Sequence, residues 1–197
     1  MDKEDVLRHY RESGALLEGH FVLASGLHSP MYLQSARVLM HPERAAALCA
    51  ELARRLTERF GADGIDLVCA PATGGIVVGY ELGRQLGRPA IFAERVGEGF
   101  ALRRGFAIEP GQRVVVAEDV VTTGGSTRQC MDCIRDHGGV PVAAVSLIDR
   151  SDGRADVGVP LIALCTLSVP AYPADALPPE LAAIPASKPG SGGLRPS

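Results

Sequence analysis

The stretch from Arg113 to Arg128 constrains the fold of this chain more than any other part of the sequence. It begins with an apolar, β-branched run, Val114 to Val116, which is typical of a strand buried on both faces. Two adjacent carboxylates, Glu118 and Asp119, follow where that strand is expected to emerge at its carboxyl end. A small, hydroxyl-rich segment then leads into a helical pattern. The sequence therefore predicts a strand–loop–helix unit with an acidic pair at the end of the strand.

This combination favours a site for a phosphorylated sugar. The backbone N–H groups of a small-residue loop and the positive end of the following helix suit a phosphate group. The two carboxylates suit the hydroxyl groups of a ribose. The loop is not a Walker A motif, because no Gly-Lys-Ser/Thr sequence is present, and it lacks the G-x-G-x-x-G fingerprint of dinucleotide-binding folds.

The rest of the chain alternates between predicted strands and helices, which implies right-handed crossovers and an α/β fold with a mainly parallel central sheet flanked by helices. The predicted helices cover Glu4–Ser13, Pro42–Phe60, Ile76–Leu86 and Thr127–His137. The predicted strands cover Ile65–Ala70, Pro89–Ala93, Val114–Glu118, Val140–Ile148 and Leu161–Leu167. Apolar residues between Gly19 and Leu33 favour a strand or ribbon interrupted by turns, and Glu94–Gly105 is charged, rich in glycine and aperiodic.

Composition excludes several functional classes. The 197 residues carry 20 Lys plus Arg against 23 Asp plus Glu, and no long basic run is present, which argues against nucleic-acid binding. The apolar stretches are far shorter than the roughly 20 residues of a membrane span, and the charged start is unlike a secretory signal. Five cysteines at irregular spacing predict reduced thiols and a cytoplasmic protein. The pair Cys130 and Cys133 is interpreted as helix packing rather than a redox or metal motif.

A second small-residue loop, Pro71 to Gly75, also follows a predicted strand. Ligands of open α/β sheets bind in the crevice at the carboxyl ends of the strands. Two such loops at neighbouring strand ends suit a ligand with two separate phosphate groups. A tight strand-to-helix turn is the alternative explanation for Gly74 and Gly75.

The segment from Glu118 to Ser126 resembles the phosphoribosyl-pyrophosphate (PRPP) motif of the type I phosphoribosyltransferase family, and more narrowly the orotate-using branch of that family. Supporting stretches are Gly19–Gln34, Ala70–Gly79, Ala93–Phe106 and the pair Asp149-Arg150. The resemblance implies a transferase that makes orotidine 5′-monophosphate and pyrophosphate from orotate and PRPP. It also implies a hood region at 1–40 on the base-binding side and a PRPP-binding core at 41–171. The composition of 172–197, rich in Pro, Ala, Gly and Ser, predicts a tail that is weakly ordered or an extended surface segment, and the three parts together form one functional domain.

The resemblance assigns roles to individual residues. Those matching the PRPP site are Glu118, Asp119, Val120, Val121, Thr122, Thr123, Gly124, Gly125, Ser126, Thr127, Thr73, Gly74 and Gly75. Those matching the orotate site are Thr122, Arg150, Tyr32 and Leu33. A planar guanidinium suits a carboxylate or paired carbonyl groups, although a local ion pair with Asp149 or Asp152 is the alternative for Arg150. No residue is expected to bind a metal directly; Mg²⁺ is expected to be held mainly by substrate, with water linking it to Glu118 and Asp119.

Glu94–Gly105 corresponds in the family to a flexible catalytic loop that closes over the site of the neighbouring subunit in a homodimer. Arg95, Arg103 and Arg104 would then neutralise the departing pyrophosphate, and with Asp119 they form the expected catalytic set. A solvated, charged surface loop is the alternative. Two departures from the family pattern stand out, because Ala24 and Gly74 occupy positions where lysine is common. His28 lies near the first of these positions.

Two further functions fit the same motif. One is a phosphoribosyltransferase for a purine, uracil or another base. The other is a PRPP-binding regulator without catalysis, for which the missing lysines leave room, although no DNA-binding segment is visible. Small-molecule substrates, and neither nucleic acid nor membrane, are the expected partners.

Overall fold

The computed structural model describes residues 1–23 and 26–188, and its central element is a six-stranded sheet. The strands of this sheet are β3 (Leu67–Pro71), β4 (Ala90–Val96), β5 (Gly99–Leu102), β6 (Arg113–Val121), β7 (Val140–Asp149) and β8 (Leu161–Thr166), in the spatial order β5-β4-β3-β6-β7-β8. Strands β4, β3, β6, β7 and β8 pair in parallel, and only the short edge strand β5 is antiparallel. The predicted mainly parallel sheet is confirmed.

Six helices accompany the sheet in the described ranges. They are α1 (Lys3–Glu12), α2 (Ser35–Leu39), α3 (Pro42–Phe60), α4 (Ile76–Leu86), α5 (Gly125–Asp136) and α6 (Pro179–Ala182). The apolar faces of α1, α3 and α4 pack with one face of the sheet, and α5 packs with the other. The first half of β6 is therefore apolar on both faces: Val114, Val115 and Val116 alternate between the two cores and are all fully buried. None of the helices in these ranges combines the length and apolar character needed to cross a bilayer.

An antiparallel ribbon precedes the core. It consists of β1 (Leu16–Val22) and β2 (His28–Leu33). The chain beyond residue 171 returns to this ribbon: the N–H and C=O of Tyr172 exchange hydrogen bonds with those of His28, and Ser187 bonds to the backbone beside Phe21. The segment 172–188 thus lies against the ribbon, and it includes α6, whose Leu181 is buried.

Most predicted elements match the observed ones within one to three residues, and α4 matches at both ends. The prediction of an aperiodic segment over Glu94–Gly105 was wrong for its first nine residues. There β4 continues to Val96 and turns directly into β5, because Gly97 takes a left-handed conformation (φ 58°) that permits a tight hairpin. The interpretation of Cys130 and Cys133 as packing residues is confirmed, since both are buried against the sheet.

Candidate active site

The candidate active site is a cavity of about 280 Å³ at the carboxyl ends of β3 and β6, where parallel sheets of this kind bind ligands. Its lining residues are Pro71, Ala72, Gly74, Arg95, Phe100, Glu118, Asp119, Val120, Val121, Thr122, Thr123, Gly124, Gly125, Ser126 and Thr127. The predicted acidic pair and the predicted small-residue loop are therefore brought together with part of the second loop and one hairpin arginine.

The acidic pair lies within β6, near its end, and is largely buried. Burial, with a smaller contribution from the charge of neighbouring Asp119, raises the pKa of Glu118 to about 8. Burial also raises the pKa of Asp119, while hydrogen bonds from backbone N–H groups and from Ser35 oppose that shift. One of these bonds runs from the N–H of Val120 to Oδ1 of Asp119 at 2.9 Å. Both residues thus line the cavity in a largely buried position, where hydrogen-bond donors from a ligand would stabilise their carboxyl oxygen atoms.

The loop after β6 presents the start of α5 to the cavity. Gly124 precedes the helix with a left-handed conformation (φ 75°), and a Cβ atom there would lie 2.6 Å from Cγ1 of Val157. Glycine is therefore required both by backbone conformation and by space. Behind the loop, the guanidinium of Arg128 donates to the carbonyl oxygens of Thr123, at 3.1 Å, and Asp156, at 2.5 Å. Within the described residues, Gly124 offers no side-chain cap to α5, and the N–H of Gly125 makes a long hydrogen bond to Oγ1 of Thr123 at 3.4 Å. The next N–H groups of the first turn can therefore bind a ligand.

The loop after β3 contains both exposed and buried residues. Thr73 and Gly74 are exposed, and both line a second cavity of about 390 Å³ between α2 and α4. Gly75 is buried beneath them, where a Cβ atom would lie 2.6 Å from the carbonyl oxygen of Ala117. The structure thus gives Gly75 the close-packing requirement of a tight strand-to-helix turn. The peptide bond between Ala72 and Thr73 is cis.

The three hairpin arginines occupy different surroundings. Arg95 lines the cavity and donates to the side-chain oxygens of Ser126, at 3.2 Å, and Gln129, at 3.3 Å. Arg104 pairs instead with Glu94 of its own hairpin, at 2.8 Å. Arg103 is exposed and does not line this cavity. Of these three arginines, only Arg95 lines the same cavity as Glu118 and Asp119 of its own chain.

Arg150 follows β7 directly and lies beside the cavity, since its backbone N–H bonds to the carbonyl of Val121 at 2.7 Å. Its Nε atom is buried without a hydrogen-bond partner in the described chain, and burial lowers the pKa of its guanidinium. Arg150 pairs with no carboxylate in those same residues, so the alternative of a local ion pair is wrong. Asp149 instead accepts hydrogen bonds from the N–H groups of Ser151, at 2.7 Å, and Gly153, at 3.1 Å.

The two hydrophobic residues assigned to the base differ in position. Tyr32 is half-buried, close enough to Arg150 to affect its pKa, and its ring lies 5.8 Å from that of Phe21. Leu33 packs into the main core. His28 contacts His20 rather than the cavity, with Nδ1 at 2.5 Å from Nε2 of that residue. Ala24, the position of the first missing lysine, lies outside the described residues.

Sequence reasoning missed two residues of this region. Phe100 lines the cavity and pairs with Arg95 across the hairpin, but the sequence analysis placed it in a segment interpreted as aperiodic. Asp149 was considered only together with Arg150, although an aspartate two residues before Ser151 and four before Gly153 is a signal for a turn held by its own side chain.

Residues 37–160 match the model of the "Phosphoribosyl transferase domain" family, a range that contains every strand of the sheet except β8 and every loop of the cavity. A relative from Caulobacter vibrioides named orotate phosphoribosyltransferase is 57% identical over 195 residues, which cover 99% of this chain and 100% of that one. The chain belongs to the orotate phosphoribosyltransferase family. A relative of the same name from Methylobacterium sp. is 56% identical over all 197 residues.

Solved structures agree with this membership of the orotate phosphoribosyltransferase family. The crystal structure of orotate phosphoribosyltransferase from Aeropyrum pernix superposes with a TM-score of 0.67 at 28% identity, covering 82% of this chain and 93% of that one. The predicted type I phosphoribosyltransferase fold is therefore confirmed.

Proposed function

We propose that the chain transfers the phosphoribosyl group of PRPP to orotate, giving orotidine 5′-monophosphate and pyrophosphate, in de novo pyrimidine synthesis. The observation that carries this proposal is Arg150, whose buried Nε atom has no partner in the described chain and whose backbone N–H bonds to the carbonyl of Val121 in the PRPP motif. A buried N–H donor without a partner is costly unless a ligand completes it, and the orotate carboxylate and carbonyl oxygens match the planar donors of a guanidinium group.

The proposed roles follow from the positions of the side chains. Glu118 and Asp119 accept the ribose hydroxyl groups, and the loop from Thr122 to Thr127 surrounds the 5′-phosphate with N–H and hydroxyl donors. The exposed pair Thr73 and Gly74 binds pyrophosphate through the backbone. Thr122 and Arg150 bind orotate, with Tyr32 beside them.

The reaction requires no nucleophile from the protein. A ring nitrogen of orotate gives up its proton to solvent and bonds to C1 of the ribose as the bond from C1 to pyrophosphate breaks, and cation-like character develops on the sugar. The protein contributes by holding the two substrates in line, excluding water and stabilising charge. The cavity suits this task because its acidic pair and its phosphate-binding loop belong to one continuous segment, which limits relative movement of the ribose and its phosphate.

Magnesium is the expected cofactor. In residues 1–23 and 26–188 no cluster of three or more His, Cys, Asp or Glu side chains could enclose a metal ion. Two carboxylates beside a diphosphate site fit Mg²⁺, which keeps several waters and binds through few carboxylates plus substrate phosphates. When bound, the ion would neutralise charge on the pyrophosphate, and Glu118 and Asp119 would orient its water ligands.

A homodimer is proposed as the active assembly. Met40, Val77 and Tyr80 are large apolar side chains exposed at 69%, 46% and 69%. They lie on α4 and at the end of α2, and two of them line the cavity that contains Thr73 and Gly74. A second copy would cover this patch, and its hairpin would bring Arg103 and Arg104 towards the pyrophosphate.

A cytoplasmic location is also proposed. All five cysteines are unpaired and buried, as expected of a protein that works in a reducing compartment. Small molecules are the proposed partners, rather than nucleic acid or membrane.

A steady-state assay with orotate and PRPP, with and without Mg²⁺, tests the function. We expect orotidine 5′-monophosphate to form only with Mg²⁺ present, and folded protein that gives no product with Mg²⁺ would refute the proposal. Adenine, hypoxanthine and uracil serve as competing bases, and faster turnover of any of them would favour the alternative phosphoribosyltransferase. Binding of PRPP without turnover of any base would favour the regulator.

A further inference from the structure

Arg95 is held beside the loop that follows β6 by uncharged groups. Its guanidinium donates to Oγ of Ser126 at 3.2 Å and to Oε1 of Gln129 at 3.3 Å, both in α5. On its other side the guanidinium lies 4.6 Å from the centre of the Phe100 ring, which belongs to the residue directly paired with it across the hairpin. Three separate contacts thus fix the direction of this exposed side chain.

The charge of Arg95 is not neutralised by the protein. No carboxylate lies within ion-pair distance of it in residues 1–23 and 26–188, whereas Arg104 of the same hairpin pairs with Glu94 at 2.8 Å. Arg128, the other arginine near this loop, donates to two carbonyl oxygens, those of Thr123 and Asp156. Arg95 therefore brings a positive charge without an ion-pair partner to the rim of the cavity, where it acts on Glu118 only at longer range.

The loop itself offers only neutral donors. Its N–H groups, the hydroxyl groups of Thr123 and Ser126, and the start of α5 can bind phosphate oxygens. A phosphate monoester, however, carries a charge of about −1.5 to −2 at neutral pH. A guanidinium group one hydrogen bond away from the loop supplies both countercharge and paired donors for such an ion.

We propose that Arg95 binds the 5′-phosphate of PRPP and of the nucleotide product within its own subunit, and that it does not serve the departing pyrophosphate. This inference rests on the proposed function and narrows it. Both side-chain hydrogen bonds of Arg95 go to the helix behind the 5′-phosphate loop, and neither goes to the loop between Pro71 and Gly75. The three arginines thus have different roles. Arg95 binds the sugar phosphate, and Arg103 and Arg104 are left to bind pyrophosphate.

Calorimetric measurements of the binding of three ligands distinguish a role of Arg95 at the 5′-phosphate from a role at the pyrophosphate. Orotidine 5′-monophosphate carries the 5′-phosphate, orotidine lacks it, and pyrophosphate represents the leaving group. For Arg95→Gln we expect at least tenfold weaker binding of the nucleotide, with the affinities for orotidine and pyrophosphate within about twofold of wild type. Arg95→Lys retains the charge but loses the paired donors, and should fall between wild type and Arg95→Gln.

Arg135→Gln is the matched control, because it removes an exposed arginine from the last turn of α5 without touching the cavity. It should leave all three affinities unchanged. Arg95→Gln with unchanged affinity for the nucleotide, or with pyrophosphate weakened as much as the nucleotide, would overturn the inference. Wild-type protein that makes no nucleotide from orotate would refute the proposed function instead, so the two failures are distinguishable.

Discussion

A Cβ atom added at Gly74 would lie 2.9 Å from Oδ1 of Asp119. The carboxylate of β6 therefore occupies the space that a side chain of the neighbouring loop would need. The same Oδ1 atom accepts the N–H of Val120 at 2.9 Å, so it cannot move aside without losing a hydrogen bond. Lysine is common at this position in the family. In this chain glycine stands there, and it leaves the space that the carboxylate of Asp119 occupies.

Restoring the family residue should consequently impair the enzyme. Gly74→Lys is expected to displace Asp119 and to lower kcat/KM for PRPP by roughly tenfold or more, because an interaction made in the transition state is lost. Gly74→Ala should show much of the same loss, since the contact begins at Cβ. Gly99→Ala is the control, because a Cβ atom there meets nothing within 4 Å. Undiminished kcat/KM in Gly74→Lys would contradict this explanation.

The raised pKa of Glu118 predicts a dependence of stability on pH. In the unfolded chain this carboxyl group loses its proton near 4.5, and in the folded protein near 8. The folded state therefore holds an extra proton between these values, and its stability falls as the pH rises from about 4.5 to 8. Glu118→Gln cannot ionise and should remove this loss, which is on the order of a few kcal/mol.

Chemical denaturation of the wild type and of Glu118→Gln across this pH range tests the expectation. As the pH increases, the free energy of unfolding of the wild type should fall relative to that of Glu118→Gln. Parallel curves would show that Glu118 ionises in the folded protein as it does in the unfolded chain.

Loss of Arg150 should affect one substrate selectively. Arg150→Ala is expected to raise KM for orotate by roughly 10- to 100-fold, as expected for a lost charge-assisted hydrogen bond, and to leave KM for PRPP nearly unchanged. Arg154→Ala is the matched control, since this exposed arginine on the same loop donates only to the carbonyl of Ser151. Equal effects of Arg150→Ala on both substrates would argue against a place in the orotate site.

The contact between His20 and the chain end should stabilise the ribbon. The carbonyl oxygen of Ile184, 2.8 Å from Nδ1 of His20, can only accept, so Nδ1 carries a proton and Nε2 of the neutral ring accepts from His28. His20→Phe removes both bonds and leaves a carbonyl unpaired, at a cost of about 1–3 kcal/mol. Hydrogen exchange should then be faster at the N–H groups of Val22 and Ser187, which join ribbon and tail.

His41→Phe is the control for this change, because the side chain of His41 makes no hydrogen bond to the helix it precedes. Slow exchange at Val22 and Ser187 in His20→Phe would mean that the backbone bonds hold the tail without the histidine pair.

Much of this arrangement was predictable from local patterns. The buried run at Val114–Val116 and the small residues from Thr122 to Thr127 correctly predicted a central strand and the loop of the cavity, because both depend on residues adjacent in sequence. The hairpin at 94–102 was missed because its charged residues and glycines indicate an exposed segment but do not reveal how its two strands pair. The boundaries of the hood, core and tail stay predictions.

The sequence by itself determined the α/β architecture, the PRPP motif and the family, because hydrophobic periodicity and the order of small and acidic residues are properties of neighbouring positions. Only the tertiary structure decided that Asp119 fills the space beside Gly74, that Arg95 contacts Ser126, and that the chain end lies against the ribbon. These relationships join residues that are between 31 and 167 positions apart. Their distances depend on how strands and helices pack, and no local pattern encodes that packing.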